Sequence, residues 1–337
     1  MAVKHKVKQT DYMYSSARVR SLENSIATSE KLSHLADAAN SDVVVAALSD
    51  FGFELIQGED KELFREETLS TVLKAGYAEA EKMVDDGSFM NFLRYAYDCH
   101  NIKSIIKCAS QGVSCDGMLI PLGIVDTNVL KEAHIEKDYS CLPENMAGAV
   151  SVAEEAFAAT RNPQKVDVIL DKACFADMLQ NAEESGIELA IKIVKSKIDL
   201  TNLLIAVRLS MMELRESALS ILKEALIPGG YKDELFDVDS MTGLVAKLAE
   251  RFEYSDYSSL CPYITGKINL SVLEREIDNY IMKVAKTAKY IPFGPEVLIG
   301  YLVALEYEVK NIRIILAGKD AGLSSEVIRE RLRDNYA

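Results

Sequence analysis

The sequence predicts an all-α protein made of tandem helical modules, on three observations. Glycine (17) and proline (7) are scarce in 337 residues. Long segments carry apolar residues at the 3.6-residue spacing of a helix rather than the alternation of a strand. One short motif, centred on an asparagine, recurs three times along the chain.

Taken in order, the chain opens with Tyr14-Ser15-Ser16-Ala17-Arg18-Val19-Arg20, a faint copy of that motif. Ser41-Asp42-Val43, leading to Leu48, follows; Val43–Val45 is β-branched but sits in a helical frame. A basic element, Leu63-Phe64-Arg65, precedes the first full copy, Tyr97-Asp98-Cys99-His100-Asn101-Ile102-Lys103, which leads to Leu119-Ile120-Pro121-Leu122-Gly123. The same order returns with Leu170-Asp171-Lys172, then Ile198-Asp199-Leu200-Thr201-Asn202-Leu203-Leu204, then Leu226-Ile227-Pro228-Gly229-Gly230. It returns again with Leu273-Glu274-Arg275 and Tyr307-Glu308-Val309-Lys310-Asn311-Ile312-Arg313. The last copy lies in a helix with an apolar stripe of Leu298, Leu302, Leu305, Val309, Ile312 and Leu316, and Gly318 is expected to cap its C-terminus. Ser325-Glu326-Val327, leading to Leu332, pairs with the segment at Ser41. Ser324 is expected to cap a closing helix through Arg333, with Glu326 in its first turn. The boundaries expected are 1–60 for an N-terminal half-module packing with the C-terminal one, then modules at 61–150, 151–250 and 251–337, related by an approximate three-fold.

Composition excludes several classes. The net charge of -14 argues against a nucleic-acid partner and suits a basic protein partner. The start, MAVKHKVKQTDYMYSS, has no apolar signal region, and the most apolar window, Val297 to Leu316, carries Glu306, Glu308, Lys310 and Arg313, too many charges to span a bilayer. Six cysteines without a CxxC pair read as free thiols of a cytosolic protein. No His pair stands at i,i+4, no P-loop occurs, and no nucleophile–base arrangement is found, so no cofactor, metal or catalytic residue is assigned. The pairs Glu154-Glu155 and Glu183-Glu184 read as solvated helix faces, and Met211-Met212 as core.

Tyr97, Ile198 and Tyr307 stand four residues before the three asparagines, and Ile105, Ala206 and Ile315 four residues after. Positions i and i±4 share a helix face, so each amide lies within a buried stripe. A buried amide without partners costs roughly 1–3 kcal/mol. The carboxylates Asp98, Asp199 and Glu308, three residues earlier, and the basic Arg65, Lys172 and Arg275 of the preceding helices are the expected partners, forming one polar lock per module. Catalysis seldom needs three copies of one site. In the tail, Arg329, Arg331 and Arg333 alternate with Glu326, Glu330 and Asp334; Arg329 and Arg333, one turn apart, are the candidate partner contact.

The run E-x-x-N-I-R-x-I from Glu308, the G-K-x-x-G-L from Gly318 and the I-R-E-x-L from Ile328 resemble the C-terminus of the C subunit of archaeal and bacterial V-type ATPases, related to the d subunit of the eukaryotic vacuolar proton pump. Tyr14 to Leu22 also resembles that family, as do the tripled modules and the length. Leu204 departs from it, replacing the usual basic residue two positions after Asn202. The resemblance implies a non-catalytic subunit shaped as a funnel of three helical domains, peripheral at the cytoplasmic face of the membrane. One side would sit on the membrane proteolipid ring and the central cavity would receive the rotor shaft, passing torque between ATP hydrolysis or synthesis and proton or sodium transport. An open helical-repeat scaffold holding a protein in its concave face, and an all-α enzyme built from residues outside known motifs, are the other readings.

Overall fold

A computed structural model describes residues 9–55, 61–212, 217–238 and 240–337, without the side chains of residues 9, 10 and 61–63, so Leu63 of the repeat lies outside it. Among these residues every regular element is helical and no strand occurs. The α-helices are α1 (Met13–Leu22), α2 (Ser29–Ala36), α3 (Ser41–Ala47), α4 (Lys61–Lys82), α5 (Asn91–Gln111), α6 (Thr127–Glu136), α7 (Glu144–Thr160), α8 (Pro163–Ser185), α9 (Glu188–Ser210), α10 (Ala218–Ala225), α11 (Leu244–Glu253), α12 (Cys261–Ile264), α13 (Leu270–Ala285), α14 (Pro295–Asp320) and α15 (Ser325–Arg331). Local chemistry sets many starts. Thr28, Asn40, Asp126, Asn162 and Ser324 each accept a hydrogen bond from a backbone N–H of the first turn that follows, satisfying a donor that the helix itself leaves open.

The chain forms two compact units, one of residues up to Ser88 together with Asp278–Ala337, the other Phe89–Ile277. In the first, α14 is the axis. Val297 through Leu305 are buried without a break, so this helix is covered on every side rather than along the one stripe expected. Helices α1, α2, α3, α4 and α15 pack around it. Close approach depends on missing side chains. A Cβ on Gly318 would lie 2.6 Å from Ile328 Cγ1 of α15. Gly318 is therefore inside α14 and not its cap; the helix runs on to Asp320, and the left-handed glycine beyond it is Gly322 (φ +68).

In the second unit α8 packs against α5, α7 and α9. Ridge-forming apolar residues such as Ile102, Leu170, Ile193 and Leu203 are fully buried, and burying one such side chain contributes about 1.5–3 kcal/mol. All six cysteines are free. Two surface assignments differ from the sequence-based expectation. Met211 and Met212 are about half exposed, at 51% and 52%. Glu154 is no solvated charge, since it accepts from Tyr139 Oη and Lys137 Nζ, both at 2.8 Å. Glu183 and Glu184 are exposed, as expected for a solvated face, and Glu183 pairs with Lys195 at 3.0 Å.

Candidate functional site

Each of the three asparagines is buried and grips the backbone of one distant residue with both ends of its amide. Asn101 Nδ2 donates to the carbonyl of Ile120, and Ile120 N–H donates to Asn101 Oδ1, both at 2.8 Å. Asn202 does the same with Ile227, again at 2.8 Å both ways. Asn311 holds Arg333, at 3.0 and 2.8 Å. A side-chain amide presents a donor and an acceptor in one plane, as a peptide group does. It can therefore pair a returning loop as a neighbouring strand would, leaving no buried backbone group unsatisfied.

The carboxylates one turn earlier take up the amides just past those brackets. Asp98 accepts from Ile124 N–H at 2.9 Å and Val125 N–H at 3.1 Å. Asp199 accepts from Tyr231 and Lys232 N–H, both at 3.1 Å, and from Tyr257 Oη at 2.6 Å. In both cases the gripped amides stand four and five residues past the bracketed isoleucine. Glu308 differs: it accepts from Ala27 N–H at 2.7 Å, and Asn335 Nδ2 donates to the Ala27 carbonyl at 2.8 Å. The third copy thus holds a segment from the other end of the chain. The paired glycines of the repeat have their reason here. A Cβ on Gly123 or Gly230 would overlap Asp98 Oδ1 or Asp199 Oδ1, so only a residue without one lets the loop close on the carboxylate.

Burial raises the pKa of all three acids. Asp98 is pushed up to about 6, against the opposing pull of its two N–H donors and of Arg94. Burial also lifts Asp199, opposed by Tyr257 and its two amides. Glu308, with a single N–H donor and Lys31 as a nearby charge, rises to about 7.

Of the basic residues expected to complete these networks, Arg65 bonds elsewhere. Arg65 donates to Asp320 and Ser41, both at 2.8 Å, and to Asp42 at 3.1 Å. Arg275 pairs with its neighbour Glu276 at 2.7 Å. Among the described residues no bond from Lys172 reaches Asn202 or Asp199. Two loop amides bond to each of Asp98 and Asp199, and one, from Ala27, to Glu308. A basic residue does clamp the first loop, but from the same helix: Arg94, four residues before Asp98, donates to the carbonyls of Leu122 at 3.0 Å and Gly123 at 2.5 Å.

Sequence reasoning also missed a second repeated tie. Lys103, two residues after Asn101, pairs with Asp171 of α8. Arg313, two residues after Asn311, pairs with Glu66 of α4 at 2.9 Å. Where Leu204 occupies that position, Arg208, one turn further along α9, pairs with Glu274 of α13 at 2.5 Å. The acids Glu66, Asp171 and Glu274 adjoin the very residues, Arg65, Lys172 and Arg275, that had been expected to act. The signal was the basic residue at the second position after the asparagine.

The tail residues are tied within their own unit. Helix α15 ends at Arg331, not Arg333, because the bracket from Asn311 needs extended backbone, and Leu332 already has φ -65 and ψ 143. Arg333 Nε donates to Asp278 Oδ2 at 2.8 Å, and its side chain is 13% exposed. Asp278 also accepts from Lys310 Nζ at 2.6 Å. Arg329 pairs with Asp37 and is 39% exposed. The two arginines therefore do not form one helix face.

The arrangement is one of structural brackets on an all-helical repeat, with no cluster of three or more potential metal ligands among the described residues and no helix among them long and apolar enough to cross a membrane. In this set of side chains, polar groups hold loops to helices. The family model described as ATP synthase (C/AC39) subunit matches residues 15–331, and the chain belongs to that family. It is similar to the C subunit of the V-type sodium ATPase of Enterococcus hirae, at 28% identity over 72% of this chain and 74% of that protein. It is also similar to the C subunit of the A-type ATP synthase of Thermococcus kodakarensis, at 24% identity over 96% and 90%, and to that of Methanocaldococcus jannaschii, at 25% over 95% and 86%.

Proposed function

We propose that this protein is a non-catalytic subunit of a V- or A-type ATPase that couples the rotor shaft to the membrane proteolipid ring from the cytoplasmic side. The observation that carries this reading is the family match across nearly the whole chain, residues 15–331. The internal repeat supports the finer part, three modules in a pseudo-three-fold funnel around a central cavity. In that scheme the helix bearing the basic element of each module lies on the asparagine helix of another: α4 on α14 and α8 on α5, with α13 tied to α9 through Glu274 and Arg208.

A part that transmits torque must be stiff. The brackets serve that need, because each joins a loop to a helix by at least two hydrogen bonds in a setting where breaking one leaves a buried group unpaired. The three carboxylates and three asparagines are, on this reading, positioning groups and not reacting ones. The test is reconstitution. Membranes stripped of this protein should recover ATP-driven ion transport when the wild-type chain is added back. Full coupling without it overturns the proposal.

A further inference from the structure

The second unit holds a pair of thiols that the brackets leave unused. Cys99 on α5 is 3% exposed and Cys174 on α8 is 4% exposed. Each reaches across to the other's helix. Cys99 Sγ donates to the carbonyl of Leu170, and Cys174 Sγ donates to the carbonyl of Tyr95, both at 3.5 Å. Leu170 stands four residues before Cys174, and Tyr95 four before Cys99. In an α-helix the carbonyl four residues back accepts from a residue's own N–H. Each sulfur therefore lies against the helical hydrogen bond that ends at the other cysteine, which brings the two side chains together where α5 packs on α8. The Cys174 thiol is pushed well up, first by a hydrogen bond with Cys99 and then by burial.

The surroundings give this pair a route to oxidation. Cys99 Sγ lies 4.0 Å from Asp171 Oδ1 of α8, and Lys103, one turn after Cys99, donates to the same oxygen. Lys103 thus offsets the Asp171 charge, so a thiolate at Cys99, the form that reacts, does not face an uncompensated anion. The Asp171 side chain is 45% exposed, which places the pair one side chain from water. The other thiols have different neighbours. Cys108 Sγ faces Met118 Sδ at 3.7 Å, and Cys141 and Cys261 have carboxylates near them.

We propose that Cys99 and Cys174 form a reversible oxidation site, at which a peroxide converts the two thiols into a disulfide that staples α5 to α8. The Cys99 thiolate attacks one peroxide oxygen and the O–O bond breaks. The departing hydroxide takes up the thiol's proton as water, and the sulfur is left as a sulfenic acid. Cys174 sulfur then attacks Cys99 sulfur. The S–S bond forms, the S–O bond breaks, and the hydroxyl leaves with the Cys174 proton as a second water. Two electrons pass from the sulfurs to the peroxide. The staple joins the helix of the first asparagine bracket to the helix that bears Lys172 of the next repeat, and a thiol reductant opens it again.

The test uses the full-length chain, reduced at the start so that all six thiols titrate. Hydrogen peroxide is added to the folded protein, and thiols are counted after quenching and denaturation without reductant. The count should fall by two, with the chain still monomeric on a non-reducing gel. Trypsin cuts after Arg94, Lys103, Lys172 and Lys192, so the two sulfurs fall in separate peptides, 95–103 and 173–192. Those peptides should be recovered joined, and dithiothreitol should part them and restore all six thiols. The variant Cys115→Ala/Cys141→Ala/Cys261→Ala removes the three thiols that are not buried, and should lose two of its remaining three to the same bond. Retention of every thiol, links between other cysteines or between chains, or separate sulfinic acids on Cys99 and Cys174 would each overturn the site. None of these outcomes bears on the coupling role, which is read by ion transport.

Discussion

Alanine at Asn202 would strand the N–H and the carbonyl of Ile227 together, since both are held by that one amide. We expect a loss of about 1–3 kcal/mol, read as a lower denaturation midpoint; an unchanged midpoint would mean the bracket adds nothing to stability. Gly123→Ala should cost a similar amount, about 1–3 kcal/mol, because its methyl would occupy the place of Asp98 Oδ1 and push the carboxylate off two amides. Gly148, on the exposed side of α7 with nothing within 4 Å of a built Cβ, is the control. Alanine there should be neutral or stabilising by about 0.5–1 kcal/mol. Glu308 gives a pH dependence. Its folded pKa is raised to about 7 from 4.5, so the folded state binds the proton more tightly than the unfolded one. The stability linked to this group is fully present below pH 4.5 and is lost as pH rises through 7. Glu308→Gln keeps an oxygen for Ala27 N–H but never ionises. Its stability relative to wild type should therefore be greater at pH 8 than at pH 5, by up to about 3 kcal/mol at the full shift. Denaturation midpoints at the two pH values that move in parallel would refute a raised pKa.

At the scale of elements, the tail separates two arginines that look equivalent in sequence. Arg333 is largely covered, bonded to Asp278 and backbone-bracketed by Asn311. Arg329 is an exposed partner of Asp37. Arg333→Ala should destabilise the isolated protein by about 1–3 kcal/mol, and Arg329→Ala by less than about 1 kcal/mol; equal values would argue against the distinction. The interhelix ion pairs should be modest. A double-mutant cycle on Arg208 and Glu274, both partly exposed, should give a coupling below about 1 kcal/mol, which identifies these pairs as register marks more than sources of stability. Helices themselves were legible because apolar spacing and a capping residue such as Ser324 act locally. The end of α15 was not. Its pattern of charges continues to Arg333, but a hydrogen bond from Asn311, far back in the chain, pulls that residue out of the helix.

For the molecule as a whole, thiol titration under non-reducing conditions should find six free thiols, because no cysteine is bridged; four or fewer would reveal a pairing formed elsewhere. The coupling role is tested by reconstitution, where ATP-driven ion transport is the readout.

The amino-acid sequence by itself determined that this protein is all-helical, that it repeats, and that Asn101, Asn202 and Asn311 are buried with a carboxylate one turn away. Those properties follow from periodicity along one chain, where i and i+4 must share a face whatever else is present. Tertiary structure decided what the asparagines hold. The donors and acceptors are backbone groups of Ile120, Ile227 and Arg333, and a peptide group looks the same in every residue, so no side-chain pattern announces it. Arg65 has the right charge and place in the repeat, yet its bonds go to Asp320, Ser41 and Asp42. Glu308 binds Ala27 across almost the whole length of the chain, a pairing that depends on which segments fold against α14 and that no local spacing encodes.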